Sequence, residues 1–419
     1  MVAAMPAFAA PPGVDSPELS APGPMAVGYR ALTLVHSGQP NLLDKGQLED
    51  RTLVVDLWYP AQSAKQARPV TYHAQLWGEP PNPPKAFSLT GVAVQGARPV
   101  GTRHPLVILS HGYSNAPMML SWLTENLATK GYVVAAIRHR DPNPYVAAAP
   151  VRAAPFYYRP TDISFVARTL RSQLGSQIDP DKVALIGYSQ GGYGVITAGG
   201  ASLDPAHPLM GAVVGDALKS IARGGAAPDT AKVPGVKAII ALAPTGGGTP
   251  DIWGDEGLAA IKAPLLLIAG DADPVVGYEH AARSFFERAT QSDRYLLTYK
   301  LAGHQIATNP VPADMRGTLW DMDWFEDPIW RQDRLNAINL HFVTAFLGMT
   351  LKGEDDKRAF LDVPVVDSDQ GKWQAPKDTP WSAYSPGGAG VTLWKGFQQR
   401  HGRGMRLEHL SPSQGSAKP

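Results

Sequence analysis

The sequence predicts a doubly wound α/β protein with a mostly parallel central sheet. Short runs of Val, Ile, Leu and Ala recur with Gly or Pro at their edges, at 105–110, 132–137, 182–188, 237–244 and 264–270. These runs are apolar on both faces, which is typical of strands buried inside a parallel sheet. Stretches with helical period separate them, and this alternation predicts helices on both faces of the sheet.

The remaining elements follow from the same patterns. Two upstream runs, 28–34 and 51–60, read as strands with no helix between them, which predicts an antiparallel edge. Apolar residues at helical spacing predict a helix over 161–174 and a final core helix over about 331–348. A further helix is predicted at 116–130.

The chain divides into one large domain and two flanking segments. Residues 28–365 carry the strands and helices, and residues 1–27, rich in Pro and Ala, are either a disordered arm or the remnant of an export signal. An export signal would place the protein in the periplasm or outside the cell. Without such a signal, the expected location is the cytoplasm. Insertions at 141–160 and 199–235 are candidate lids over the carboxyl edge of the sheet. Residues 366–419 are expected to be an irregular tail that wraps the domain.

The composition excludes several classes of function. Lys and Arg total 38 and Asp and Glu total 37, so the chain lacks the basic footprint of a nucleic-acid-binding protein. No apolar run approaches the roughly 18–20 residues that cross a bilayer. The absence of cysteine excludes thiolate metal sites and a cysteine nucleophile, and no motif requires a metal or another cofactor. The expected partner is a small or neutral substrate.

Residues 187–192 read GYSQGG, which places Ser189 in a G-x-S-x-G pattern. The pattern alone is weak evidence, because the same letters can form an ordinary glycine-rich turn. Here it lies between a predicted strand and a predicted helix, where Gly187 and Gly191 let the two elements pass without collision. This context favours Ser189 as a nucleophile.

A serine hydroxyl needs a base within hydrogen-bond reach and an acid that orients the base. In this arrangement the chain order is serine, acid, histidine. Asp271 and Asp273 follow a buried strand, and His304 follows the next apolar stretch. We predict His304 as the base and Asp273 as the acid, since two further loop residues carry Asp273 outward. Asp271 is the reserve, and either aspartate can instead cap the following helix.

Backbone N–H groups are expected to stabilise the oxyanion of a tetrahedral intermediate. The residue after the nucleophile, Gln190, is predicted to supply one donor. The loop after strand 105–110 reads His111, Gly112, Tyr113, and its glycine allows the backbone to approach a substrate closely. The Tyr113 N–H is the predicted second donor, although the same residues are compatible with an ordinary turn into the next helix.

Several stretches together resemble the predicted dienelactone hydrolase and platelet-activating-factor acetylhydrolase-like branch of the α/β-hydrolases: RTLVVDLWYPA, HPLVILSHGYSNAP, RPTDISFV, GYSQGG, AGDADPVV and AGH. The resemblance covers about residues 28–350 and implies an α/β-hydrolase fold with eight mostly parallel strands. Dienelactone hydrolases use a cysteine nucleophile, which this chain lacks, so the resemblance implies a serine esterase. It implies these roles: nucleophile Ser189, acid Asp273, base His304, oxyanion donors Tyr113 and Gln190.

The expected activity is therefore hydrolysis of carboxylic esters through an acyl-enzyme, on a small-molecule or a polymeric substrate. The alternatives are an amidase or peptidase that uses the same residues and a noncatalytic binding module on the same scaffold. Aromatic residues cluster at 156–158 and at Trp320, Trp324 and Trp330, in segments expected to overhang the strand ends, and they suggest an aromatic-rimmed cleft for an apolar acyl or aryl group. The residues predicted to line it are Tyr188, Tyr157 and Trp324.

Overall fold

The computed structural model describes residues 17–44, 47–63, 68–78, 80–212, 216–374, 378, 390–398 and 400–413. The strands are β1 (Ala26–Pro40), β2 (Leu48–Ala61), β3 (Pro69–Leu76), β4 (Lys85–Gln95), β5 (His104–Ser110), β6 (Val133–Arg138), β7 (Ile178–Tyr188), β8 (Val236–Leu242), β9 (Leu265–Gly270), β10 (Arg294–Tyr299) and β11 (Met405–Leu410). The α-helices are α1 (Ser121–Thr129), α2 (Ala149–Gln173), α3 (Gln190–Ala198), α4 (Ala217–Ile221), α5 (Gly254–Ala259), α6 (Ser284–Arg288), α7 (Leu319–Asp323) and α8 (Gln332–Leu347).

Within the described residues the strands form one sheet in the order β11-β10-β9-β8-β7-β5-β6-β2-β1-β4-β3. The six neighbours from β10 to β6 run parallel, and β2 and β1 continue the sheet as an antiparallel pair. One face packs under α2 and α3 and the other under α1 and α8, with Leu185 and Ile186 of β7 facing opposite sides. The α/β prediction with helices on both faces is confirmed.

The sheet is larger than the eight strands that the resemblance implies. A hairpin of β3 and β4 extends it beyond β1, where the upstream strands were expected to form the edge. In β3 only Tyr72 and Leu76 are buried, and in β4 only Phe87 and Ala93. The apolar residues of this half-exposed hairpin are interrupted by polar residues and glycine, so it lacks the continuous run that marks the central strands.

The C-terminal tail is not irregular throughout, as the sequence had suggested. Its last described part forms β11, which pairs antiparallel with β10. Met405 and Leu407 are buried while the alternate residues Arg406 and Glu408 are partly exposed. The strand is short and carries charges on its outer face, so its alternation of buried and exposed residues is too brief to predict a strand. Residues 375–377, 379–389, 399 and 414–419 of the tail lie outside the described residues.

The N-terminal arm is ordered where it is described. A 3-10 turn at Glu18–Ser20 packs on the body, with the Leu19 N–H donating to His341 Nδ1 at 3.2 Å and the Ser20 carbonyl accepting from Asn126 Nδ2 at 3.0 Å. The prediction of a disordered arm is thus wrong for 17–27, and residues 1–16 lie outside the described residues.

The first insertion is largely helical rather than a loop. Helix α2 begins at Ala149, well before the predicted start at 161, and continues through Pro155 and Pro160. Proline removes a helical hydrogen bond, which is why the sequence placed the helix start beyond it. Burial of the helix against the sheet offsets this cost.

No helix of the described residues is long and apolar enough to cross a membrane.

Candidate active site

Ser189 lies in the sharp turn between β7 and α3, with φ 53° and ψ −117°. A non-glycine residue adopts this backbone only when the surroundings enforce it. The Ser189 N–H donates to the Leu242 carbonyl at 2.9 Å, and the Ser189 carbonyl accepts from Tyr193 and Thr245. A Cβ on Gly187 would lie 2.1 Å from the Gly191 carbonyl oxygen. The turn therefore needs glycine here, and it presents the serine at the carboxyl edge of the sheet.

Replacing Gly191 by alanine should lower the free energy of unfolding by about 3 kcal/mol or more. The new methyl group would lie 2.0 Å from the carbonyl oxygen of Ser110, a backbone atom that can move only with β5. Urea denaturation of Gly191→Ala, compared with Gly101→Ala, measures the effect, because a Cβ at Gly101 has no atom within 4 Å. Equal stability of the two variants would contradict this account of the turn.

The structure brings together the three side chains predicted to act as nucleophile, base and acid. Ser189 Oγ lies 3.0 Å from His304 Nε2, and His304 Nδ1 lies 2.7 Å from Asp273 Oδ2. They follow β7, β10 and β9, which are parallel, so their loops meet at one edge of the sheet. His304 and Asp273 are buried, whereas Ser189 is partly exposed. The serine is thus accessible, and the groups behind it are shielded from water.

Asp273 is held as a carboxylate. Burial by itself raises its pKa, but hydrogen bonds from His304 and from the N–H groups of Val275 and Val276 more than offset it, so that the pKa of Asp273 lies below its ordinary value. Asp271 lies elsewhere: its Oδ1 accepts from the Leu301 N–H at 2.6 Å. Of the two candidate aspartates, only Asp273 contacts the imidazole.

Two further residues hold the loop that carries His304. The Tyr188 hydroxyl donates toward the His304 carbonyl at 3.2 Å and lies 2.7 Å from Gln305 Oε1. Asp327 accepts from the Gly303 N–H at 2.6 Å. Burial raises the pKa of Tyr188 well above its usual range, so the hydroxyl keeps its proton and remains a donor. Tyr188 therefore holds the His304 backbone and the Gln305 side chain, contacts that the sequence did not predict.

The predicted oxyanion donors belong to two segments, the start of α3 and the loop after β5. Gln190 is the first residue of α3, and the first N–H groups of a helix have no intrahelical acceptor. Tyr113 lines the cavity above Ser189, and within the described residues no acceptor contacts its N–H. Its hydroxyl points away and donates to the Pro142 carbonyl at 3.0 Å. In the same loop His111 is buried, with Nδ1 2.7 Å from the Gly112 carbonyl.

A cavity of about 320 Å³ opens beside Ser189 and His304. Tyr188 and Trp324 line it as predicted, but Tyr157 does not. The early start of α2 places Tyr157 in the core between helix and sheet, beside Tyr158. No described residue of the two candidate lids lines the cavity. Trp320, one of the aromatic residues expected to overhang the strand ends, also lines it, whereas four lining residues were not predicted: Asn115, Val275, Gln305 and Asp323.

Sequence position explains which of these lining residues were missed. Gln305 and Val275 closely follow predicted site residues, so their place at the cavity was open to inference. Trp320 and Asp323 belong to α7, in a stretch after β10 that lacks the periodicity of a core element. The aromatic residues of this stretch indicated that it overhangs the strand ends, but Asp323 carried no signal of its own, and only the folded chain places it at the cavity.

The strand order from β1 to β10, the glycine-flanked turn and the chain order serine, aspartate, histidine define an α/β-hydrolase fold. A family model for platelet-activating factor acetylhydrolase, isoform II, matches residues 90–151, which include β5, the Tyr113 loop and β6. The solved structure of a ferulic acid esterase from Streptomyces cinnamoneus is 22% identical, with a TM-score of 0.53, and the match covers 81% of this chain and 94% of that chain. A search of curated proteins found no match. The structural match confirms the predicted fold, and the family match agrees with the resemblance over residues 90–151.

Proposed function

We propose that the protein is a serine hydrolase that cleaves carboxylic esters through an acyl-enzyme. The observation that carries the proposal is the hydrogen-bonded row of Ser189, His304 and Asp273, with its serine at the floor of a cavity. In this arrangement the His304 imidazole can take the proton of Ser189. The Asp273 carboxylate fixes the tautomer of the imidazole and stabilises the imidazolium that forms. The names of the matched family and of the similar solved structure, both of enzymes that act on esters, support the same chemistry.

In the proposed reaction Ser189 Oγ attacks the ester carbonyl carbon while His304 Nε2 accepts the hydroxyl proton. The carbonyl oxygen becomes an oxyanion, which the N–H groups of Tyr113 and Gln190 stabilise. The intermediate collapses, His304 returns the proton to the leaving alcohol, and the acyl group stays on Ser189. Water, activated by the same imidazole, then releases the carboxylic acid and restores the serine.

The cavity favours a compact aromatic or apolar acyl group. Its walls include Trp320, Trp324, Tyr113 and Val275, and its volume of about 320 Å³ lies at the small end of the range for ligand pockets. Flat rings pack well between indole and phenol side chains. We therefore propose esters of small aromatic acids as the preferred substrates, the class to which ferulic acid esters belong.

A panel of matched substrates tests the proposed function. Aryl esters of increasing acyl length, an ester of an aromatic acid and the corresponding amide are compared by kcat/KM. We expect the esters to exceed the amide, the aromatic acyl group to be preferred, and long acyl chains to lose activity because the cavity is small.

An organophosphonate serine probe provides the second arm, and mass spectrometry should locate the adduct on Ser189. Preference for the amide would identify an amidase instead. Failure of both turnover and labelling would identify a noncatalytic module and overturn the proposal.

A further inference from the structure

The loop that carries the proposed donor Tyr113 is tied to a buried ion pair. Arg159 of α2 donates to the His111 carbonyl at 2.5 Å through Nη1 and to the Gly112 carbonyl at 3.0 Å through Nη2. On the other side of Tyr113, the Ser114 N–H donates to Asp141 Oδ2 at 2.9 Å. The loop is thus held at the two positions before Tyr113 and at the one after it.

Arg159 and Asp141 also hold each other. Nη2 of Arg159 lies 2.5 Å from Asp141 Oδ2, and Nε lies 3.2 Å from Oδ1, a two-point contact of guanidinium and carboxylate. The Arg159 side chain is fully buried. A buried charge is costly unless it is paired and its donors are satisfied, and the planar fork of arginine allows it to meet carbonyls and a carboxylate at once. Lysine offers no such fork.

The backbone of the loop explains why this pair is needed. If the Tyr113 N–H faces the cavity, the carbonyl groups of His111 and Gly112 point into the protein. Buried carbonyl groups require hydrogen-bond donors. Ser114 also adopts φ 56°, a conformation that costs energy in a residue other than glycine. Arg159 supplies the donors, and Asp141 holds the strained residue.

A second row of polar side chains supports Arg159 from behind. Ser110 Oγ lies 2.9 Å from His139 Nε2, and His139 Nδ1 lies 3.0 Å from Asp162 Oδ2. Arg159 Nη1 donates to Ser110 Oγ at 3.3 Å, so the Ser110 hydroxyl is free to donate to His139. Burial, followed by the charge of Arg159, lowers the pKa of His139 to about 4, so the imidazole is neutral at neutral pH.

The hydrogen bonds of this row run in one direction. Neutral His139 accepts at Nε2 and donates from Nδ1 to Asp162, which also accepts from Arg51 at 2.8 Å. The backbone N–H of His139 donates to His111 Nε2 at 3.2 Å. Every member has a defined donor or acceptor role, so the row fixes the side chains against which the Tyr113 loop rests.

We propose that Arg159 and Asp141 are positioning residues that hold the Tyr113 N–H in place to stabilise the oxyanion. The inference rests on the proposed ester hydrolysis and adds two residues that do not touch the substrate. It also assigns a role to the insertion 141–160, which was expected to be a lid: its Asp141 and Arg159 hold the loop that carries Tyr113.

The variant Arg159→Lys tests the inference, with Arg294→Lys as the matched control. Arg294 is also buried and also donates to backbone carbonyls, those of Phe286 and Ser292, but it lies at the amino end of β10, away from Ser189. We expect Arg159→Lys to lower kcat by about 10- to 100-fold, because a small misplacement of a catalytic group has this effect, with KM nearly unchanged. Arg294→Lys should leave both constants unchanged.

A second readout separates positioning from general loss of structure. Phosphonylation of Ser189 places an oxygen in the oxyanion site, so its rate should fall in parallel with kcat, whereas inhibition by the carboxylic acid product should not change. Equal kcat in Arg159→Lys and wild type, or equal losses in the two lysine variants, would overturn the inference. An inactive wild type would instead overturn the proposed function.

The double variant Asp141→Asn/Arg159→Met guards against failure to fold. It removes both charges together, so no buried charge is left unpaired, and such replacements are often tolerated. We expect a cooperative unfolding transition, a loss of kcat at least as large as in Arg159→Lys, and the same unchanged product inhibition. Wild-type kcat in the folded double variant would overturn the inference independently.

Discussion

Ser189→Ala should lower kcat by about 10⁴- to 10⁶-fold, the largest effect expected of any substitution in this chain. The hydroxyl is the atom that would bond to the acyl carbon and lies 3.0 Å from His304 Nε2, and among the described residues no other hydroxyl contacts that nitrogen. The residual rate would come from binding and from the oxyanion donors acting on water. Steady-state kinetics on an aryl ester and labelling by the phosphonate probe measure the loss.

Folding should be preserved in Ser189→Ala, since the substitution keeps the backbone hydrogen bonds of the turn and removes only a partly exposed hydroxyl. Ser292→Ala is a matched control: its hydroxyl donates to the Ala263 carbonyl at 2.7 Å at the opposite edge of the sheet. It should retain full activity. Turnover of Ser189→Ala within about tenfold of wild type would remove Ser189 from its proposed role.

The chain contains two Ser–His–Asp rows, and their surroundings distinguish them. The spacings of Ser110, His139 and Asp162 differ little from those of the Ser189 row. Ser110 is fully buried, however, and its oxygen already accepts from a guanidinium. A nucleophile needs access to substrate and a base that can be protonated during the reaction. Hydrogen-bond geometry alone therefore does not define a catalytic centre.

The sequence predicted the central sheet and the Ser189 row because both depend on strong, local signals. Continuous apolar runs mark the parallel strands, and parallel strands place their carboxyl ends at one edge. Residues directly after those ends, such as Asp273 and His304, must then lie near one another. The choice of Asp273 over Asp271 depended only on loop length, and the structure places Asp273 beside the imidazole.

The features that the sequence missed depend on tertiary packing. Tyr157 was expected at the cleft because a proline-rich stretch reads as a loop, yet packing extends α2 and buries it. Arg159 gave no signal, since an arginine in a sequence is normally read as a surface residue. Its buried role requires carbonyls from one segment and a carboxylate from another. Strands β3 and β11 were missed because fewer than half of the side chains in each strand are buried, so neither has a continuous apolar run.

Asp273→Asn should lower kcat by about 10⁴-fold, whereas Asp271→Asn should leave it within about threefold of wild type. The amide introduced by Asp273→Asn could present an N–H to His304 Nδ1, which would favour the wrong tautomer and leave Nε2 protonated, unable to accept the serine proton. It would also lack the negative charge that stabilises the imidazolium. Asp271 meets the Leu301 N–H instead, a contact that an asparagine oxygen can replace.

The acid dependence of stability provides an independent check on Asp273. Its pKa in the folded protein lies below the ordinary value, so the carboxylate stabilises the fold at pH above its unfolded pKa, and this contribution is lost as the pH falls through the folded pKa. Asp273→Asn should therefore reduce the loss of stability between neutral and strongly acidic pH, measured by urea denaturation. The reverse ranking of the two asparagine variants in kcat would transfer the role of the acid to Asp271, although that carboxylate does not contact the imidazole.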